Sequence, residues 1–323
     1  MHGPPNGLFF ANCYPIIAII GVPANLVAII ILSRGRCNLS RCVSYYLVAI
    51  AVSDFLVILM AVIFKRIVHI YFRYSVMSTT PASALSAVLI YISRDCSVWL
   101  TAAFTIDRFV AICWQSLKVR YCTEKTASFV IGTMCALSCV KNFPFYFVCQ
   151  PLVIVDGVPW FCDIKSTYYT LPAWQAYHWL DRILMPFLPF FLIFLLNILT
   201  ARHIIPASRA CRRLQGIEDS GTKEMANRRR SIILLFAISL SFLLLWVTYV
   251  GNFVFVRAIG KGYISNLNFN DPQYILQEMS IVLTFVSSCN NVFIYAPSQN
   301  KFREEVKKTF LCPFNMLVSF TKP

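Results

Sequence analysis

Seven long apolar stretches decide what this chain can become. They cover residues 14–33, 44–68, 82–113, 128–148, 175–203, 229–256 and 272–297. A helix needs about 20 apolar residues to cross the hydrocarbon core of a bilayer, and these stretches reach that length. Irregular backbone cannot face lipid, so each is expected to be a helix. The runs lack the polar–apolar alternation of a membrane β-barrel. Of the 323 residues, 58% are hydrophobic and only 13% charged, whereas soluble chains are nearer a quarter charged. The expected fold is an all-α membrane protein: a seven-transmembrane helix bundle with a short amphipathic cytoplasmic eighth helix near 299–310. Residues 1–13 are then a short extracellular N-terminus, 14–297 the membrane domain, and 298–323 the amphipathic helix and tail.

The basic residues give the expected orientation. Most of the 29 Lys and Arg fall in segments that share one side: Arg34, Arg36 and Arg41, then Lys118, Arg120 and Lys125, the 202–230 segment, and Lys301 to Lys308. Loops rich in Lys and Arg stay in the cytoplasm, so the N-terminus is predicted outside. The net charge of +15 then reflects topology and contact with anionic membrane lipids, not nucleic acid. No basic leader with a small-residue cleavage site precedes the first stretch, which is expected to be its own insertion signal.

The third stretch carries charge at two depths. Asp107-Arg108-Phe109 closes it near the water interface, while Arg94 and Asp95 fall in its middle. An ionisable side chain inside the bilayer costs roughly 3 kcal/mol and usually faces a protein-lined or wet interior. At ~1.5 Å per residue, Arg94 and Arg108 lie about 20 Å apart along one helix. Four histidines are scattered and no C-x-x-C pair is present, so no metal site is expected.

Several short signals follow one another in order. Span 1 holds Gly21-Val22-Pro23-Ala24-Asn25. Span 2 holds Leu47-Val48-Ala49-Ile50-Ala51-Val52-Ser53-Asp54, and span 3 ends Asp107-Arg108-Phe109. Span 5 has Pro189 and Asn197, span 6 Phe242 and Trp246, and span 7 ends Asn291-Val292-Phe293-Ile294-Tyr295, with Phe302 beyond it. Taken together the set resembles the rhodopsin-like (class A) G-protein-coupled receptors over essentially the whole chain. Within that class the motifs look most like the orphan G-protein-coupled receptor 139 branch, whose members respond to aromatic amino acids.

The resemblance implies a set of roles. Asp54 with Ser97, Ser287 and Asn291 would hold an allosteric sodium ion, oxygen-only ligation suiting a hard cation; a protonated or water-bridged aspartate is the alternative. Arg108, held at rest by Asp107 with Phe109 beside it, would swing toward the groove that admits a heterotrimeric G protein. The second restraint is usually an acid at the start of span 6, where this chain has Arg228, so basal signalling is expected. Asn197 and Tyr295 would stabilise the active arrangement, and Val98, Pro189 and Phe242 would relay it. The usual proline two residues after the span-6 tryptophan is replaced by Thr248, whose hydroxyl is expected to bend the helix mildly by bonding back to the backbone.

The outer halves of the spans carry Lys65, Arg66 and His69, Arg94 and Asp95, Lys141, Asp181 and Arg182, and Glu278. By helical register Arg94 and Asp181 face inward. Two readings stand side by side: an Arg94–Asp181 ion pair tying two spans, or Arg94 meeting a ligand carboxylate and Asp181 a ligand amine. Tyr91, Trp246, Tyr249 and Phe253 would form an aromatic wall. The family's usual disulfide to span 3 is ruled out by Ser83; Cys149 with Cys162 closes a local ring, and Cys13 with Cys162 is the rival pairing. Cys312 is a palmitoylation candidate or a free thiol.

The implied function is a plasma-membrane receptor for an extracellular ligand, an aromatic amino acid or a small peptide. The alternative is a transporter of a small charged solute, for which internal repeats or broken helices would be expected. A retinal photoreceptor would need a lysine in span 7, and 272–297 has none. No nucleophile–base set suggests an enzyme.

Overall fold

The computed structural model describes residues 7–37, 39–214, 222–258, 271–298 and 301–308, with side chains over 9–37, 39–205, 229–256, 271–296 and 301–308. Seven helices are long and apolar enough to cross a membrane: Phe9–Ser33, Arg41–Tyr71, Thr80–Cys113, Glu124–Val148, Pro172–Ile205, Arg229–Val256 and Pro272–Ala296. They are numbered spans 1 to 7. Most overrun the apolar stretches by several residues, because polar flanks prolong a helix past the edge of its hydrophobic run. Ser40 caps span 2 by accepting the Val43 N–H, and Thr123 caps span 4 by accepting that of Thr126. Such caps satisfy N–H groups that have no intrahelical partner.

Among the described residues, span 4 tightens to a 3-10 turn over Phe143–Val148, and two spans widen. Span 2 widens to π geometry over Ile58–Ile67, with the Val68 N–H reaching back to the Ile63 carbonyl. Span 5 does so over Ile183–Phe187, where Pro186 has no N–H to give. A wide turn inserts a residue and rotates the face of everything beyond it, and such turns gather at functional sites. Span 6 runs unbroken in the helix Thr222–Ala258. The Thr248 hydroxyl is buried and bonds nothing among the described residues, so the expected back-bonded bend is not formed.

The 149–174 segment is not a simple loop. Strands β1 (Cys149–Val155) and β2 (Val158–Ile164) pair antiparallel around Asp156 (φ 50) and Gly157 (φ 77). Asp-Gly is a favoured two-residue hairpin turn because both positions need positive φ. The hairpin marks one end of the bundle, and Arg108 marks the other.

Packing is strongest toward the Arg108 end. Leu47, Ile50, Leu100, Phe104, Tyr295 and Phe302 join one buried cluster, the last contributed by the helical segment 301–308. That segment buries Phe302 and exposes Lys301, Arg303, Lys307 and Lys308, the amphipathic split expected. Phe310, Leu311 and Cys312 lie outside the described residues, as does the Arg228 side chain. Spans 1, 2 and 7 meet closely at Gly21: a Cβ there would stand 2.6 Å from the Cys289 sulfur. The adjacent Asn25 amide donates to the Gly21 and Ser288 carbonyls, at 2.9 and 3.0 Å, tying span 1 to span 7.

Candidate functional site: a polar interior between two coupled ends

Span 3 brings the charged groups into the bundle. Its buried stripe includes Ser93, Asp95, Val98, Ala102, Asp107 and Arg108. Near the hairpin end, Asp95 is 1% exposed and Asp181 of span 5 is 4% exposed. Both are satisfied by one cation: Lys141 of span 4 lies 2.7 Å from Asp95 and 2.5 Å from Asp181. Asn142 adds a 2.7 Å hydrogen bond to Asp95, and the Tyr177 hydroxyl donates to the Lys141 carbonyl.

The expected Arg94–Asp181 pair is therefore not formed. Span 4 has few bulky residues on its inner face, and Lys141 reaches across it to take Asp181. Arg94 has no carboxylate in ion-pair range among the described residues. Its guanidinium sits over two rings instead, 5.3 Å from the Tyr91 centroid and 6.0 Å from that of Tyr249. Its buried Nε has no hydrogen-bond partner among the described residues. Cation–π contacts over desolvated rings are worth about 2 kcal/mol.

The four expected wall aromatics fall into separate groups, Trp246 and Tyr249 in one cluster and Tyr91 in another, with Arg94 between Tyr91 and Tyr249. Tyr249 meets Trp246 edge-on at 5.6 Å, and Arg182 donates to the Tyr249 hydroxyl at 3.1 Å while lying 5.9 Å from the Phe253 ring. Tyr91 packs on Phe145 at 4.5 Å, and Phe145 on Tyr177 at 5.2 Å. The second aromatic group, with Tyr168 and Trp174, was not foreseen. Its signal was the aromatic density of Phe143–Phe147 and Tyr168–Tyr177. A second ionic cluster joins spans 1, 2 and 7: Arg66 pairs with Glu278 at 3.2 Å, Tyr14 donates to Glu278 at 2.8 Å, and Arg66 covers the Tyr14 ring at 5.4 Å.

Below this region Trp246 stacks on Phe242, centroids 5.2 Å apart. Both belong to a buried cluster with Val98, Met185 and Ile193, and Pro189 is buried one turn from Ile193. Deeper still, Asp54 is fully buried. It accepts from the Ser97 hydroxyl at 2.6 Å and from the Asn291 amide at 2.7 Å. Ser288, not Ser287, directs the next hydroxyl at it; the register of span 7 turns Ser287 aside. One carboxylate with serine hydroxyls and an amide is a donor set that fits a small hard cation.

At the far end Arg108 bonds Asp107, its Nε at 2.9 Å. Asp107 also accepts from the Cys42 thiol at 3.3 Å. Where an acid was missing from span 6, the Ser231 hydroxyl stands 3.4 Å from Arg108 Nη1. Phe109 packs edge-on against Trp114 at 5.4 Å. Asn197 is held by Ser239 of span 6 at 2.7 Å. Tyr295 lies apart from these groups, against Phe302 at 5.8 Å, with its hydroxyl unbonded among the described residues. At the hairpin, Cys149 and Cys162 form a disulfide, and Cys13 is free. The hairpin is tied to span 3 by the Thr80 hydroxyl, 2.6 Å from the Phe161 carbonyl, where the usual tether would be covalent.

Seven apolar helices around a charged interior define a multi-pass membrane protein with polar groups at both ends of one bundle. Residues 24–295 match the family model of the 7 transmembrane receptor (rhodopsin family), and the chain belongs to that family. It is 21% identical to galanin receptor 2a of Danio rerio, over 97% of this chain and 81% of that receptor. It is 25% identical to G-protein coupled receptor 15 of Mus musculus, again over 97% and 81%. It is also 25% identical to the FMRFamide receptor of Drosophila melanogaster, over 93% of this chain and 52% of that receptor. These relatives are receptors, which favours that class over the transporter alternative.

Proposed function

We propose that the chain is a plasma-membrane signalling receptor with its N-terminus and hairpin outside the cell. An extracellular ligand binds among Tyr91, Arg94, Trp246, Tyr249 and Phe253 and shifts the bundle toward a state that activates a heterotrimeric G protein at Arg108. The observation that carries this reading is Arg94: a guanidinium without a carboxylate partner among the described residues, held between Tyr91 and Tyr249, the second of which leads to Trp246 and Phe242. The gathering of Lys and Arg toward the Arg108 end supports the orientation, and a disulfide in the hairpin agrees with an oxidising exterior.

The ligand is read as an aromatic amino acid or a small peptide with its carboxylate on Arg94. The 139-like branch carries an arginine shortly after its span-6 tryptophan. Here Arg182, bonded to Tyr249, brings a guanidinium to that neighbourhood from span 5. The relatives named for galanin and FMRFamide support the peptide form. Asp54, Ser97, Asn291 and Ser288 would hold a sodium ion, whose positive charge would favour the resting arrangement.

The test is a second-messenger screen of the expressed receptor against aromatic amino acids and small peptides. Arg94→Ala should abolish the response with surface expression intact. A full response from that variant removes Arg94 from the site.

A further inference from the structure

Lys65 is the group that the interior does not otherwise explain. It follows Val57, Ile58, Ala61 and Val62 on the inward stripe of span 2, within the wide turn. Its neighbour Arg66 is spent on Glu278. Lys65 itself makes no hydrogen bond or ion pair among the described residues, and its side chain is exposed. The stripe that it continues packs against Ile90 of span 3, one helical turn from Arg94. An exposed lysine that continues a stripe packed against span 3 lines an open interior rather than the lipid face.

The charge inventory of that interior is lopsided. Lys65, Arg66, Arg94, Lys141 and Arg182 are cationic; Asp95, Asp181 and Glu278 are anionic. Each carboxylate is already claimed, two by Lys141 and one by Arg66. Two cations, Arg94 and Lys65, keep no carboxylate among the described residues. A ligand amine would find every acid engaged and would face both of those charges.

We propose that this site takes a dianionic ligand: an aromatic or apolar body with one acidic group on Arg94 and a second on Lys65, and no free amine. The inference rests on the ligand site proposed above and narrows its ligand class. Of the two ligand forms read above, it favours the acidic end of a peptide over the zwitterionic amino acid. It selects N-blocked aromatic acids with a second carboxylate, or the acidic end of a peptide that presents the same two charges. Charge-assisted hydrogen bonds contribute about 1.5–3 kcal/mol, so each matched anion is expected to raise affinity about tenfold or more.

The test uses one aromatic body at three charges: phenylalanine, N-acetylphenylalanine, and N-succinyl- and N-glutarylphenylalanine. The first is a zwitterion, the second carries one negative charge, and the last two carry two at different spacing. Thermal stabilisation of purified full-length receptor reports binding, and nucleotide exchange on reconstituted G protein reports signalling. One of the doubly charged compounds should bind tightest, the acetyl compound about tenfold weaker, and phenylalanine weakest. Lys65→Ala should bring the doubly charged compound down to the level of the acetyl compound, whereas Arg94→Ala should weaken both. Phenylalanine binding as well as N-acetylphenylalanine, an advantage of the second acid that survives Lys65→Ala, or no stabilisation by any compound overturns the proposal. If the doubly charged compound binds but exchange does not rise, the ligand assignment stands and the signalling reading falls. If exchange is receptor-dependent and lost in Arg108→Ala while the charge order is absent, signalling stands and the ligand assignment falls.

Discussion

Lys141 holds two buried carboxylates from different helices on a single ammonium, so its removal should be felt through the whole bundle. Breaking a buried pair by deleting one partner costs about 3–5 kcal/mol, because the other charge is stranded. Lys141→Met should lower the thermal unfolding midpoint of detergent-solubilised protein accordingly. Adding Asp95→Asn and Asp181→Asn to that background should recover most of the loss, since the stranded charges are then gone. A milder effect is expected at Cys122, beyond the end of span 3. Burial, with the Asp107 carboxylate beside it, pushes this thiol up to about 11. The thiolate is the reactive form, so at pH 7.5 Cys122 should alkylate more slowly than free cysteine, with the rate climbing only as pH nears that value. Mass-spectrometric labelling time courses measure this directly.

The hairpin is the element that departs most from an all-helical plan, and its sequence carried the signal. Leu152-Val153-Ile154-Val155 and Val158-Pro159-Trp160-Phe161 flank Asp156-Gly157, an apolar run on each side of a turn pair. Its covalent ring is local, between Cys149 and Cys162, so its attachment to span 3 is non-covalent and includes the Thr80 hydroxyl on the Phe161 carbonyl and the Thr79–Trp160 bridge. Thr80→Val should raise hydrogen–deuterium exchange across 149–164 while leaving the disulfide intact. Gly157→Ala should cost the hairpin about 1 kcal/mol, because its positive φ is strained for a residue with a Cβ, and the same exchange experiment resolves it. Spans 2 and 5 owe their function to the opposite kind of feature. Their wide turns carry no clear mark in hydropathy, yet the one in span 2 sets which way Lys65 and Arg66 face.

At the scale of the molecule, the two ends communicate only if the bundle has a resting link that activation breaks. Arg108 is held by Asp107 within span 3 and by Ser231 from span 6. A hydroxyl at 3.4 Å is a weak tie compared with a carboxylate. Ser231→Ala should therefore raise ligand-independent nucleotide exchange severalfold, and an unchanged basal rate would remove Ser231 from the restraint. Midway between the ends, Asp54 gathers spans 2, 3 and 7. If it holds sodium as proposed, Asp54→Asn should abolish the sodium dependence of agonist affinity measured against a potassium control.

The sequence by itself determined the number of spans, their order, the motif at each level and the charged character of one end, because hydropathy and motif spacing are local properties of the chain. Tertiary structure alone decided which cation meets which acid. Register put both Arg94 and Asp181 on inward faces but could not say that Lys141, reaching across from span 4, would take Asp181 and leave Arg94 to its tyrosines. The same limit explains Ser288 in place of Ser287 and a Thr248 hydroxyl with no backbone bond. Each turns on a rotation of a fraction of a helical turn, and that rotation is fixed by how neighbouring helices pack rather than by any residue along one of them.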